Sequence, residues 1–531
     1  MTLTVPAALD AAAERDPTGE AVADGDVLLT WAALRERVRT FAGFLRSRGV
    51  GPGDRVAVCS PNTWHWVVAG LGILYAGATL VPVSTRFTAR ETLDVLSRAR
   101  VSGLVITGRF LGTSRLAALD SLPPLVVRVP VELAEPPVPG VVEWSDVDGT
   151  CGSVAVTPDD VSDILFTSGT TGRSKGAMSA HRQALGVADA WASCASLSAR
   201  DRYLVVNPFF HSFGYKAGIL ACVLTGATIV PQRVFDASST LQLIEQERIT
   251  VLPGAPTVYR MLLDAPDRAR LDLSTLRLAV TGAATVPAAL VSRMHSDLGF
   301  DTVLTAYGLT EAVVATMSRP ADSLDVISRF SGRPTAGFEI RLGDHDEILL
   351  RGPNVMLGYL DDPAATASAI DPAGWLHTGD VGFLSPDGNL RITDRLKDIY
   401  VSGGFNVYPA EVEQVLAAHP AIADSAVVGR PDPRLGEVGR AYVVPHSGAA
   451  LSAEAVLAYC KENLANYKVP RSVEFVRALP RNPSGKVLKR LLRETSTPGP
   501  AEDESCTNAA TPSSSSPSAG RTTAPGENTD A

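Results

Sequence analysis

The chain has 531 residues, too many for one ordinary hydrophobic core, so two or three domains are expected. Hydrophobic residues make up 45% and charged residues 20%, the balance of a globular protein, and a net charge of -9 argues against a general nucleic-acid or anionic-membrane surface. Six cysteines (Cys59, Cys151, Cys194, Cys222, Cys460 and Cys506) lie far apart with no CxxC pair, which argues against a zinc site or disulfide framework and for a reducing, cytoplasmic setting.

The opening MTLTVPAALDAAAERDPTGE lacks a basic head and an apolar core, so no signal peptide is expected. ALRERVRTFAGFLRSRG reads as an amphipathic helix closed by a glycine, and RVAVCS as a strand. The run VVAGLGILYAGATLVPV, Val67 to Val83, follows an amphipathic start at PNTWHW. It is short for a membrane span and holds Gly77 and Pro82, so it reads as a buried helix passing into a strand. DVLSRARV continues as helix. TLVPVS, GLVITG, ATIVPQ, ITVLPG, LRLAVTG and DTVLTAYG are near-continuous in Val, Ile and Leu. Strands of that kind are buried on both faces, which marks an α/β sheet. The stretch from EILLRGPNVMLGYL to GFLSPDGNLRITDR has short strands and a PDG turn and predicts a small β-rich lobe. Beyond DRLKDIYVSGG the pattern becomes compact α+β: PAEVEQVLAAHP and SAEAVLAYCKENL as helices, ADSAVVGRPD and RAYVVPH as strands. From about Thr495 the Ser, Thr, Pro, Ala and Gly composition predicts a disordered tail.

One segment is built for something other than packing. In DILFTSGTTGRSKGAM, Asp163 to Phe166 end a strand, and TSGTTGRSKG follows as a loop dense in hydroxyls and glycines with a single lysine. Successive backbone N–H groups in such a turn form a concave anion site, the hydroxyls add donors and Lys175 adds a point charge, which suits a polyphosphate. The spacing is not that of a Walker A loop. A solvated surface loop is the alternative.

TSGTTGRSKG resembles the phosphate loop of the adenylate-forming superfamily, which holds acyl-CoA synthetases, luciferases and peptide-synthetase adenylation domains. Further motifs follow in the family's order: YGLTEA (Tyr307 to Ala312), GWLHTGDVG, ITDRLKDIYVSGGFNVYPAEVE and NPSGKVLKR. The resemblance covers about residues 5 to 494. It implies a large N-terminal domain of stacked α/β sheets with a β-rich lobe (1–394), a hinge (395–398), a small mobile α+β domain (399–494) and the tail (495–531). It implies an AMP-forming acid–thiol ligase that uses ATP, Mg2+ and CoA, with a small carboxylic acid as partner. The oligomeric state stays open. One departure is Ser174, where the family usually carries Pro.

Carried over by motif, Thr167, Ser168, Gly169, Thr170, Thr171, Gly172 and Lys175 would cradle the β- and γ-phosphates. Gly282, Ala283 and Ala284 would lie against adenine and acyl groups, because small residues permit close approach. Tyr307 would stack on the adenine beside Gly308. Glu311 would help hold Mg2+, with Thr310 beside the α-phosphate. Asp380 would accept from the ribose hydroxyls, and Arg395 would reach the same ribose or the phosphate. Lys486 would be the mobile lysine bridging acid and α-phosphate, Lys397 the hinge pivot, and Ser402, Gly403 and Gly404 part of a loop serving the CoA step.

The segment VVNPFFHSFGYKAGILACVLTGA would line the acyl pocket with His211, Phe213 and Lys216. Amino-acid-activating relatives carry an Asp where His211 stands, so an α-amino acid is disfavoured. His211 reads either as a gate to the thiol tunnel or as a satisfied core histidine. Lys216 sits in an apolar run and must either snorkel to solvent or meet a polar group, including one on the substrate. The wording of NPFFHSFGYKAGIL and AVTGAATVP is similar to a bacterial branch that activates the propanoate side chain of the steroid C/D-ring indanedione remnant. A ligase for medium- or long-chain fatty acids is the alternative, and a non-catalytic protein or a luciferase-like oxygenase more remote ones.

Overall fold

Buried runs of Val, Ile and Leu make two parallel-centred sheets, as their composition requires, and a third and fourth sheet follow them in the chain. The computed structural model describes residues 3–132, 135–149, 152, 154–167, 174–282, 286–403, 405–481 and 486–494. The residues through Arg493 form one compact unit.

The first large sheet has eight strands, in the order Gly358–Tyr359, Lys175–Ala180, Val161–Thr167, Thr79–Pro82, Arg55–Cys59, Gly103–Thr107, Leu125–Val129 and Val142–Glu143. The second has nine, in the order Arg333–Pro334, Ala312–Met317, Thr302–Leu309, Leu278–Gly282, Val251–Pro253, Arg202–Val205, Thr228–Pro231, Glu20–Asp24 and Val27–Thr30. Inner strands of both pair in parallel, and antiparallel pairs cap one edge of the eight-stranded sheet and both edges of the nine-stranded sheet. Every strand expected from an apolar run between RVAVCS and DTVLTAYG lies in one of these two sheets.

Val67 to Val83 forms the end of the helix Trp64–Tyr75 and then the strand Thr79–Pro82. The expected amphipathic start is not there: His65 and Trp66 are buried with the rest, because this helix is enclosed on every side. His65 stacks on Trp64 with ring centroids 3.8 Å apart, and burial pushes its pKa down to about 3, so it stays neutral. The helix Trp31–Ser47 packs beside it, its last turn followed by Gly49 at φ 82°.

The β-rich lobe is a four-stranded antiparallel sheet of Glu339–Leu342, Glu347–Arg351, Leu376–Leu384 and Leu390–Arg395, with the PDG turn joining the last two. The sequence LGYL does not belong to it. Gly358–Tyr359 instead adds an edge to the eight-stranded sheet, pairing with Lys175–Ala180. The lobe and the hairpin Val161–Thr167/Lys175–Ala180 are therefore stitched together by one short strand.

The last sheet holds Tyr400–Ser402, Phe405–Val407, Ile422–Asp432, Gly436–Pro445 and Ser472–Phe475, covered by helices Pro409–Ala417 and Ala453–Asn463. Their apolar faces close one small core around Val412, Leu416, Val427, Val443 and Val456. Among the described residues no helix is long and apolar enough to cross a membrane. Cys59, Cys194, Cys222 and Cys460 are free thiols. Cys59 is buried, which pushes its pKa up to about 12 and keeps it unreactive.

Candidate functional site

The glycine-rich segment is carried by a hairpin. Its strands Val161–Thr167 and Lys175–Ala180 pair antiparallel, with Thr167 opposite Lys175 at the mouth and Asp163 opposite Ser179 near the base. Ser168, Gly169, Thr170, Thr171 and Gly172 lie outside the described residues, as do Ala283, Ala284 and Gly404. The departure at Ser174 has a local anchor: Arg98 Nη1 donates to the Ser174 carbonyl at 2.7 Å, and the Arg98 guanidinium also covers the Phe166 ring.

Lys175 does not stand alone. Its ammonium lies 4.9 Å from the ring centroid of Tyr359, a cation–π contact. The Tyr359 hydroxyl donates to Glu311 Oε1 at 2.7 Å. Burial, and then the Glu311 carboxylate, raise the Tyr359 pKa, so the phenol stays protonated as a donor. Glu311 sits with Thr310 at the tip of a second hairpin, the two-residue turn between Thr302–Leu309 and Ala312–Met317. Its carbonyl accepts from Met356 N at 2.8 Å, which fixes the turn. Two hairpin tips from two different sheets thus bring Lys175 and Glu311 to one phenol. Tyr359 was not expected from the sequence; nothing in LGYL marks it until the short strand places it beside Lys175.

Tyr307 and Gly308 still lie in the strand Thr302–Leu309. The Tyr307 hydroxyl donates to Asp380 Oδ2 at 2.7 Å, and Arg395 Nε meets Asp380 Oδ1 at 2.9 Å. Asp380 and Arg395 are cross-strand partners in the four-stranded sheet, so register alone sets them face to face. Gly282 ends the neighbouring strand. A side chain there would meet a wall of protein, since its Cβ would lie 2.4 Å from the Ala306 carbonyl oxygen. Its smallness is required by strand packing before any ligand is considered.

Lys486 belongs to this second cluster. It is exposed by area, yet its pKa is lowered to about 8, first by desolvation of the ammonium and then by the Arg395 charge, with Asp380 opposing. Lys397, in the turn 396–398, is lowered for the same reasons. That turn is tied to the C-terminal helix by Asp398, which pairs with Arg493 at 2.8 Å. Ser402 is buried in its strand, and Gly403 turns the following hairpin at φ 58°.

The acyl-side residues stand on an uncommon element. Phe213–Leu220 is a π-helix, a form that recurs at functional sites. His211 precedes it. Its Nδ1 accepts the Phe213 backbone N–H at 3.2 Å, and burial pulls its pKa down to about 4, leaving a neutral ring with its proton on Nε2. Phe213 packs edge-on to Trp191. Lys216 does not snorkel: at 2% exposure it sits 2.9 Å from Asp163 Oδ1 as an ion pair rather than an aligned hydrogen bond, and it donates to Ser179 Oγ at 2.7 Å. The polar groups it meets are on the hairpin that carries the glycine-rich segment. Asn62, also unforeseen, holds the stretch before the π-helix. Its amide donates to the carbonyls of Val205 (3.0 Å) and Asn207 (2.9 Å) and accepts from Phe209 N (2.8 Å).

Among the described residues no three His, Cys, Asp or Glu stand together as a metal cage. A lone carboxylate beside hydroxyls suits Mg2+, which keeps waters and draws its other ligands from substrate phosphates.

Comparison with known proteins agrees with this geometry. Residues 9–360 match the AMP-binding enzyme family and residues 411–486 its C-terminal domain. The chain is 58% identical over 506 residues, 92% of this chain and 98% of the relative, to the 3-[(3aS,4S,7aS)-7a-methyl-1,5-dioxo-octahydro-1H-inden-4-yl]propanoyl:CoA ligase of Rhodococcus jostii (strain RHA1). It is 56% identical, with the same coverage, to the ligase of that name from Mycobacterium tuberculosis (strain ATCC 25618 / H37Rv). Among solved structures, the anthranilate CoA ligase AuaEII in complex with anthranoyl-AMP superposes with a TM-score of 0.84 at 27% identity, covering 92% of this chain and 96% of that one. The family match spans more than half of the residues, and the chain belongs to the AMP-binding enzyme family.

Proposed function

We propose that this protein is an ATP-dependent, AMP-forming acid–CoA ligase for the propanoate side chain of a methyl-octahydroindene-dione, the ring remnant of steroid catabolism. The likeness to the two ligases of that name along nearly the whole chain carries the reading. In the first half-reaction the acid's carboxylate attacks the α-phosphorus of ATP, forming acyl-AMP and releasing pyrophosphate. In the second, the CoA thiol attacks the acyl carbon and AMP leaves.

The nucleophile of the first step is already an anion, so the protein's work is positioning and charge neutralisation. Lys175, held over Tyr359, faces the β- and γ-phosphates. Mg2+, when bound at Glu311, supplies charge neutralisation of the polyphosphate. Tyr359 orients Glu311 by occupying Oε1, which leaves Oε2 to the ligand side. Thr310 adds a hydroxyl at the same tip. Asp380, aligned by Tyr307 and Arg395, accepts from the ribose hydroxyls. Lys486 places its ammonium between carboxylate and α-phosphate. Neutral His211 stands at the acyl side, where a cation would hold the acid's charge away from the reacting phosphorus.

The division at 394/395, with Lys397 as pivot, belongs to the same proposal. Residues 399–494 would turn between the half-reactions, presenting Lys486 first and the segment Ser402, Gly403 and Gly404 second.

The experiment is AMP release by the purified chain with ATP, Mg2+ and CoA across a panel of acids. The panel holds the indene-dione propanoate, acetate, octanoate, palmitate, a cinnamate and several amino acids. Preference for the ring acid supports the reading; preference for octanoate or palmitate keeps the chemistry and replaces the substrate; no turnover with any acid defeats it.

A further inference from the structure

Lys216 is nearly inaccessible and both of its partners lie on one hairpin. Asp163 and Ser179 are cross-strand partners, and the same two strands end at the cross-strand pair of Thr167 and Lys175, four residues further along, about 14 Å. Ser162 Oγ, itself buried, lies 2.7 Å from Asp163 Oδ2, so both carboxylate oxygens have a neighbour. The other end of the connection is the π-helix Phe213–Leu220, whose first residue is the acyl-side Phe213. Nothing about packing requires a charge here; an apolar side chain would fill the same volume without desolvation cost.

We propose that Lys216 is a positioning residue: it ties the acyl-side π-helix to the base of the phosphate-loop hairpin, so that occupation of the acyl side sets the placement of Thr167 and Lys175 at its mouth. The ladder between the two cross-strand pairs is rigid, and a shift of the helix moves the hairpin through two anchors instead of one. Binding of acid and of ATP is then coupled, and each ligand tightens the other by the same factor. The inference rests on the proposed reaction for the choice of acid and for placing acid at the π-helix and ATP at the hairpin mouth.

The test uses the full chain and calorimetric titration of the magnesium complex of α,β-methylene-ATP, which cannot release pyrophosphate and stands for MgATP throughout, with and without the indene-dione propanoate. Lys216→Met alone strands the Asp163 carboxylate. The double variant Lys216→Met/Asp163→Asn removes both charges at nearly constant volume and isolates the tether from that penalty. The double variant is expected to melt close to the parent, to bind MgATP about fivefold or more weakly, and to show an acid effect on ATP affinity reduced toward one. The KM for CoA is expected to stay unchanged. Parental ATP affinity with a parental acid effect overturns the proposal. So does a parent in which acid leaves ATP affinity unaltered, or a variant whose ATP affinity, CoA KM and melting temperature all fall together, which is the mark of a merely structural pair. Should the double variant not fold, Ser179→Ala removes one anchor without leaving a charge, and an unaltered acid effect there overturns the proposal equally. A parent that turns over no acid while the variant still loosens MgATP defeats the functional reading alone; an active parent with an unaltered variant defeats the tether alone.

Discussion

Tyr359 illustrates how one hydroxyl decides a site. It donates to Glu311 at 2.7 Å while its ring faces the Lys175 ammonium. Tyr359→Phe keeps the ring and deletes the donor, so Lys175 stays in place and Glu311 loses its orientation. A charge-assisted hydrogen bond of this type contributes about 1.5–3 kcal/mol. Titrating Mg2+ at saturating ATP is expected to show a requirement raised about tenfold or more. In the proposed reaction Lys486 would set the pH dependence. Its ammonium is the useful form and is complete below its lowered pKa of about 8. The sign therefore runs downward: pyrophosphate release in the first half-reaction falls as pH rises through about 8. Lys486→Gln is expected to lose about 10²–10³-fold in that step and to flatten this limb of the profile.

At the scale of elements, the acyl side depends on a helix that cannot form by propensity alone. The second residue of the π-helix Phe213–Leu220 is Gly214, where a Cβ would stand 2.2 Å from the Pro208 carbonyl oxygen. Gly214→Ala must push the turn off that backbone, and overpacking costs about 1–3 kcal/mol. The expected result is a lower melting temperature together with a raised KM for the acid. Asn62 holds the same turn from the other side through three bonds to the backbone at Val205, Asn207 and Phe209. Asn62→Ala leaves buried backbone groups unpaired and is expected to cost about 2–3 kcal/mol, measured by denaturant unfolding. None of this is legible in PNTWHW or NPFFHSFG, because the partners are more than 140 residues apart in sequence. The paired carboxylate of Lys216 was hidden for the same reason. An isolated lysine in an apolar run announces that a partner exists; only the sheet register names Asp163 and Ser179.

For the whole molecule, the proposed half-reactions would draw on different parts of the chain. Lys486 stands with Asp380 and Arg395, whereas Ser402 and Gly403 belong to the hairpin of the C-terminal sheet. If the small domain turns between steps, Lys486→Gln given preformed acyl-adenylate and CoA is expected to release AMP at close to the parental rate. Loss of both steps together would remove the case for separate presentation.

The sequence alone determined the parallel-centred α/β class and the positions of the seven strands from RVAVCS to DTVLTAYG, and it singled out TSGTTGRSKG as a candidate anion loop. Those are local properties: buried strands need unbroken apolar runs, and an anion loop needs hydroxyls, glycines and a cation in consecutive positions. The motif residues Glu311, Asp380, Arg395 and Lys486 were legible because each sits inside a short stretch of recognisable wording. Tertiary structure alone decided that Tyr359 leaves the β-lobe to join the hairpin, that Asn62 grips the acyl turn, and that Lys216 is spent on Asp163 rather than on solvent. Each of these is a pairing between distant segments, settled by sheet order and register, and no window of consecutive residues contains both partners.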